Sequence, residues 1–284
     1  MRPRRALLFG EALIDEFPDG RVVAGAPLHL AAHLASFGWE ALVVARVGND
    51  ADGRAIRERL ERHGVGTALL EVDPVLPTGT AAITLHPGGG HSFTIRRPGA
   101  WDAVEGPEVI PPHDVLYFGT LPLRDPRSRA ALERVLPATA LRVVDANLRP
   151  PDYDIARVSF AVTHADVFKV SVDELPEVAG LLRVAADPRA LIAFGPEWVC
   201  VTHGAAGAEL HHREGRRWEV PGEAVEVVDT VGAGDAFLAG LIDGLTADGA
   251  GAAALRRAQS TATASVAQRG GFPEWEPGRQ PLPS

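Results

Sequence analysis

The sequence predicts an α/β protein, an open and mostly parallel sheet with helices on both faces and a small accessory sheet inserted in it. Three observations predict it. Short continuous apolar runs, typical of strands buried on both faces, recur along the chain. Helical periodicity fills most of the intervals between them. Two stretches in the first third break that rhythm, alternating apolar with polar residues around Pro/Gly turns.

In chain order, the first strand is expected over residues 6–10. Arg2, Arg4 and Arg5 ahead of it imitate the start of a secretory signal, but Glu11 and Asp15 interrupt the apolar run too early. The run therefore reads as a buried strand. Residues 13–17 and 21–24 flank Pro18-Asp19-Gly20 as a first hairpin. The segment 27–37 carries Leu30, Leu34 and Phe37 at helical spacing, opens on Pro27 and is closed by Gly38. A strand at 42–47 precedes a helix from about Asp52, with Ile56 and Leu60 on one face, that stops at Gly64. Residues 80–86 and 91–97 flank Pro87-Gly88-Gly89-Gly90 as a second hairpin. Ile83, Leu85, Phe93 and Ile95 share one of its faces, and Thr84, His86, Thr94 and Arg96 the other.

The hairpin regions, 12–26 and 79–98, suit either a lid over a ligand site or a subunit interface, the latter giving a homodimer through the lid. Strands at 115–119, 141–145, 167–170 and 198–202 complete the main sheet. Helices are expected at 126–136, 172–182, 187–194, 234–245 and 252–268. No internal repeat is visible, residues 1–284 read as one domain, and only the proline-rich tail from 272 looks loosely attached.

Composition narrows the chemistry. With 28 Lys+Arg against 37 Asp+Glu the formal net charge is −9, which argues against nucleic-acid or anionic-membrane partners. No apolar run approaches the roughly 18 residues that span a bilayer. The single cysteine, Cys200, excludes an internal disulfide framework or a Cys-x-x-Cys site and fits a reducing, cytoplasmic compartment. Lys169 is the only lysine, so a Walker A loop and a protein-kinase strand lysine are both missing. The dinucleotide fingerprint also fails, because Gly232-Ala233-Gly234 continues as Asp235-Ala236-Phe237.

That last stretch is the most informative. Residues 225–231 are extended and run into glycines that open a helix, so backbone N–H groups and about half a positive charge at the helix start face one spot. This makes a phosphate cradle without lysine. Asp235 at the same helix start suits a general base for an attacking hydroxyl. A plainer reading, with Asp229 or Asp235 as a helix cap around a tight turn, uses the same residues.

The segment Asp229-Thr230-Val231-Gly232-Ala233-Gly234-Asp235 resembles the signature of ribokinase-like, PfkB-type carbohydrate kinases. Gly25-Ala26-Pro27-Leu28 with Ala31-Ala32 resembles the family's N-terminal sugar-binding signature, and Arg46-Val47-Gly48-Asn49-Asp50 the segment after it. Asp145-x-Asn147-x-Arg149-Pro150, Gly10-Glu11, Leu13-Ile14-Asp15 and Ala100-Trp101-Asp102 are similar to the fructokinase branch. The likeness runs from about Leu8 to Gly271. It implies a three-layer α/β/α fold with a β lid and an ATP- and Mg²⁺-dependent transfer to a sugar hydroxyl. Asp235 would be the base, with Gly232, Ala233 and Gly234 lining the anion hole.

The resemblance also implies that Asp15, Gly25, Asn147, Arg96 and Asp235 meet the sugar. His29 stands where the family has a sugar-binding asparagine; a neutral imidazole still offers one donor and one acceptor. Lys169, Thr202, Gly204, Gly207 and Gly234 would bind the nucleotide, the middle three as a loop of the form Thr-x-Gly-x-x-Gly. Glu174, three residues after Ser171, would handle Mg²⁺ and phosphate. K⁺ beside the anion hole would draw on Asp229, Val231 and Gly270, largely through backbone oxygens. Fructose is the first choice of acceptor, with ribose, 2-keto-3-deoxygluconate and nucleosides open, and a non-catalytic sensor on the same scaffold as the contrasting class.

Overall fold

The computed structural model describes residues 2–85, 91–138, 141–248 and 251–273. Among these, the sheet built by the apolar runs has the strand order β13-β12-β11-β10-β9-β8-β1-β4-β5. Its parallel part comprises β1 (Arg5–Phe9), β4 (Glu40–Gly48), β5 (Leu70–Asp73), β8 (Val115–Gly119), β9 (Leu141–Asp145), β10 (Val167–Ser171) and β11 (Trp198–Thr202). At one edge β12 (Gly207–His212) and β13 (Arg217–Pro221) pair antiparallel. The sequence reading lacks β5, β12 and β13: β5 has only four residues, and β12 and β13 carry His, Glu and Arg in place of a continuous apolar run.

Side-chain alternation divides the core into two layers. Ala6 and Leu8 of β1 pack with α1 (Ala26–Ser36), α2 (Ala51–Arg62), α7 (Ala233–Asp248) and α8 (Gly251–Val266). Leu7 and Phe9 face α3 (Pro126–Val135), α4 (Ile155–Thr163), α5 (Leu175–Leu182) and α6 (Pro188–Ile192). Helix starts follow from local chemistry. Asp50, Asp125, Asp154 and Asp187 each accept a first-turn N–H as N-cap of α2, α3, α4 and α6. Helix α4 goes unread in the sequence although Val158, Ala161 and Val162 are buried at helical spacing, because only nine residues rich in β-branched Ile, Val and Thr carry the pattern. Helix α5 begins at Leu175, later than residue 172, because residues 172–174 turn first.

Both expected hairpins form, as β2 (Leu13–Phe17) with β3 (Gly20–Ala24) and β6 (Gly79–Leu85) with β7 (His91–Ile95). Parallel pairing of β2 with β6 joins them into one sheet of order β3-β2-β6-β7. The turn between β6 and β7, with His86, lies outside the described residues, as does the tail from 274. Leu13, Ala24, Ala81 and Ile83 pack with Phe17 and Ile95 on one face of this small sheet. Chain order reverses between β1 and β8, the place where open α/β sheets take ligands at the carboxyl ends of their strands. No helix among the described residues is long and apolar enough to cross a membrane.

Candidate active site

The carboxyl ends of the parallel strands, the apolar face of the small sheet and the start of α7 enclose a cavity of about 350 Å³. Leu13, Asp15 and Phe17, every second residue of β2, line it, and so does Ile95 of β7. Strand ends supply Glu11, Asp145, Asn147, Arg149 and Lys169. Asn147 adopts φ +37°, a left-handed conformation that asparagine tolerates better than most residues, which turns the chain after β9. Gly25, at φ +131°, lies where a Cβ would fall 2.5 Å from the Glu11 carbonyl oxygen, so the chain entering α1 can approach the strand end only as glycine.

Carboxyl groups dominate the electrostatics. Burial pushes Glu11 up to about 7 while its Oε1 accepts the Ala26 N–H at 3.1 Å. Burial likewise raises Asp15 to about 6, against the opposing pull of His29 and Arg149. Asp145 is raised to about 6 by burial, although Lys169 Nζ donates to its Oδ2 at 2.7 Å. Burial disfavours the charged Lys169, yet Asp145 and Glu174 outweigh it and hold the ammonium above its ordinary value.

At the floor, Gly232 at φ +75° turns the chain into α7, and a Cβ there would fall 2.5 Å from Gly271 Cα. Gly232, Gly234 and Asp235 at the start of α7 form part of the cavity wall, and the Ala233 N–H donates to the Thr230 carbonyl at 3.3 Å. Asp235 is largely enclosed, with 14% of its side chain exposed, and its Oδ2 lies 2.9 Å from His29 Nδ1. A second cavity of about 560 Å³ adjoins the first, sharing Thr230 and Gly234 with it. Thr202, Gly204 and Gly207 line one side, with Ala233 at the helix start. Val225, Val227 and Phe237, which belong to the segment read around the glycine turn, form further wall, and the Gln259, Thr263 and Val266 face of α8 adds lining that the sequence did not indicate.

Several expected residues stand elsewhere. Arg96 follows Ile95 and therefore points to the opposite face of the small sheet; it is 62% exposed and pairs with Glu16 at 2.8 Å, outside the cavity lining. Arg149 is the arginine in the wall. Lys169 lines the smaller cavity rather than the one that holds Thr202 and Gly204. Glu174 lines neither: its carboxylate accepts from the Leu148 N–H at 2.7 Å, the Ser171 N–H at 2.9 Å and the Ser171 hydroxyl at 2.8 Å. It ties the loop after β9 to the end of β10. Asp229 accepts the N–H groups of Val231 at 3.0 Å and Gly270 at 2.9 Å, bringing those two segments together. Glu11, a buried carboxyl at the cavity wall, is a site residue the sequence reading quotes only as part of a motif.

The donor set can be tested against Mg²⁺. Among the described residues no group of three or more His, Cys, Asp or Glu gathers as a metal site. Mg²⁺ commonly takes only one or two carboxylates alongside the phosphates of its nucleotide. Asp145 Oδ1, buried and without a hydrogen-bond partner among the described residues, is an acceptor of the kind a hydrated Mg²⁺ would use.

Comparison with known proteins accords with this geometry. The model of the pfkB family carbohydrate kinases matches residues 12–276. A fructokinase of Klebsiella pneumoniae is 33% identical over 262 residues, covering 85% of this chain and 84% of that protein. The crystal structure of fructokinase from Vibrio cholerae, in a fructose, ADP and calcium ion bound form, aligns with TM-score 0.84 at 28% identity, covering 95% of this chain and 94% of its own. Aminoimidazole riboside kinase from Salmonella enterica, complexed with aminoimidazole riboside and an ATP analog, aligns with TM-score 0.81 at 25% identity over 95% of each chain.

Proposed function

The chain belongs to the pfkB family of carbohydrate kinases, and from that premise we propose that it transfers the γ-phosphate of ATP to the primary O6 hydroxyl of D-fructose. One observation carries the reading. Asp235 stands at a helix start where a polar cavity, rich in carboxyl groups, meets a larger and more apolar one. A neutral sugar suits the first: Glu11, Asp15, Asn147 and Arg149 can share several hydroxyl hydrogen bonds, and no lysine cluster awaits a second phosphate. ATP suits the second, its base against Val225, Val227 and Val266 and its phosphates toward Thr202, Gly204 and the glycine turn.

In this arrangement the sugar hydroxyl attacks in line, and Asp235 takes its proton. The amides of Gly232, Ala233, Gly234 and Asp235 stabilise the charge that spreads over the transferred group. Phosphoryl transfer has a loose transition state, so late proton removal by Asp235 suffices. Mg²⁺ carried with ATP supplies charge neutralisation at the phosphates, with Asp145 as the carboxylate that would hold it, since Glu174 is taken up by the Leu148 and Ser171 donors. K⁺ beside the anion hole would use the carbonyls of Val231 and Gly270 with Asp229. The small sheet keeps out water, which would otherwise compete as acceptor.

The test is ADP release from ATP and Mg²⁺ across fructose, ribose, 2-keto-3-deoxygluconate and a set of nucleosides. Fructose should give the highest kcat/KM. A panel in which fructose is silent while a nucleoside or a sugar phosphate turns over overturns the assignment, and the aminoimidazole riboside kinase relative makes the nucleoside arm the informative rival.

A further inference from the structure

We infer that His29 is a positioning residue for Asp235: its Nδ1–H holds one carboxylate oxygen so that the other faces the acceptor hydroxyl. The inference rests on the kinase reading above and changes the part His29 plays in it, from sugar contact to orienter of the base.

His29 is the fourth residue of α1 and Asp235 the third of α7, so two helix starts bring these side chains together across 206 residues of sequence. Nδ1 and Oδ2 are 2.9 Å apart, with only 6% of the His29 side chain exposed. An ionised carboxylate only accepts, so the nitrogen facing it must carry the proton. Terminal carboxylate torsions are broad, and an unpartnered aspartate samples many orientations. A fixed donor narrows them.

His29 can fix Asp235 because it is itself fixed. A Cβ on Gly271 would fall 2.6 Å from the imidazole Cε1, so the backbone there lies flat against the ring. Phe272 meets the ring edge-on with centroids 5.0 Å apart. Phe272 is held in turn by the His63 ring at 4.9 Å and by the Arg59 guanidinium 4.9 Å above its face. The segment Gly270–Phe272 is also tied to the loop before α7, through the Gly270 N–H bond to Asp229. One C-terminal segment thus walls in the imidazole and is anchored beside the base that the imidazole touches. An asparagine at this position, as the family pattern has it, carries its Nδ2 where Nδ1 sits but lacks the rest of the ring, which here fills the space against Gly271 and Phe272.

The experiment compares the parent with His29→Phe, which keeps the ring's bulk and removes its N–H, and His29→Asn, whose Nδ2 restores a donor at the Nδ1 position. Steady-state kinetics on the best substrate of the panel should show kcat reduced about 10- to 150-fold in His29→Phe, the range of one charge-assisted hydrogen bond. KM for sugar and for ATP should stay within about threefold, and His29→Asn should recover most of the rate. A raised sugar KM with unchanged kcat overturns the inference and returns His29 to the sugar. A substrate-free readout accompanies it. In ¹⁵N-labelled parent protein His29 should be the Nδ1–H tautomer with a strongly downfield ring proton, and that proton should move upfield in Asp235→Asn. An Nε2–H tautomer, or a proton indifferent to Asp235→Asn, also overturns it. Should no compound on the panel be phosphorylated, the kinase reading fails, while the NMR spectra still decide whether His29 holds Asp235.

Discussion

Asp235 is the third residue of α7, with its Oδ2 2.9 Å from His29 Nδ1. As the proposed general base it would take the acceptor's proton late, in a loose phosphoryl transition state. The substitution Asp235→Asn keeps size and shape while removing the acceptor. We expect kcat to fall about 10²- to 10⁴-fold, with calorimetric ATP affinity equal or improved because repulsion with the γ-phosphate is relieved. Melting temperature should hold. A residue that only capped the helix would instead show about 1 kcal/mol of lost stability and an unchanged rate.

The small sheet shows how strand alternation assigns roles. Residues 13, 15 and 17 of β2 face the cavity, as does Ile95, and the next residue, Arg96, is carried to the outer face. Arg149, on the loop after β9, is the arginine that reaches the cavity. Arg149→Ala should therefore raise the sugar KM about 10- to 150-fold, the effect of losing a charge-assisted hydrogen bond. Arg96→Ala should change it less than about threefold, since an exposed ion pair contributes little. Fructose titrations on the two variants separate these outcomes.

Helix α7 depends on its partner in a different way. Cβ atoms at Gly240 and Gly244 would fall 2.8 Å and 2.4 Å from the Cα atoms of Ala258 and Ala254 on α8, so small residues let the two axes approach closely. Gly244→Val should lower the urea midpoint, at a cost of about 1–3 kcal/mol for overpacking. Chemical denaturation followed by circular dichroism measures it.

Across the molecule, the site's buried carboxyls make stability depend on pH. Glu11 moves from an ordinary 4.5 to about 7 on folding, and Asp15 and Asp145 from 3.8 to about 6. Between those values the folded state holds protons that the unfolded state has released, so each group's contribution is present at low pH and is lost as pH rises through the folded value. His33, lowered to about 4 mainly by burial, works in the opposite sense. Glu11→Gln isolates one group. At pH 8 it removes the cost of a buried charge, roughly 3 kcal/mol on the difference between 4.5 and 7. The variant should melt several degrees above the parent at pH 8 and level with it near pH 4.5. Calorimetry at the two pH values checks the sign, and equal melting at pH 8 would place Glu11 outside this balance.

What could be read along the chain is local. Apolar runs mark the buried strands, Pro27 and Gly38 bracket α1, and residues 229–235 announce a glycine turn that opens a helix, because each depends on neighbours a few positions apart. The short β5 and the polar edge strands β12 and β13 escape such reading, since burial against distant elements decides them and not their own periodicity. The site is divided in the same way. Asp235, Asp15, Gly25 and Asn147 are visible as motif positions and do converge on one cavity. The parallel pairing of β2 with β6, the choice of Arg149 over Arg96, and the meeting of His29 with Asp235 required the fold. Those contacts join segments tens to hundreds of residues apart, and only the packing of sheet, helices and small sheet brings them within hydrogen-bond reach.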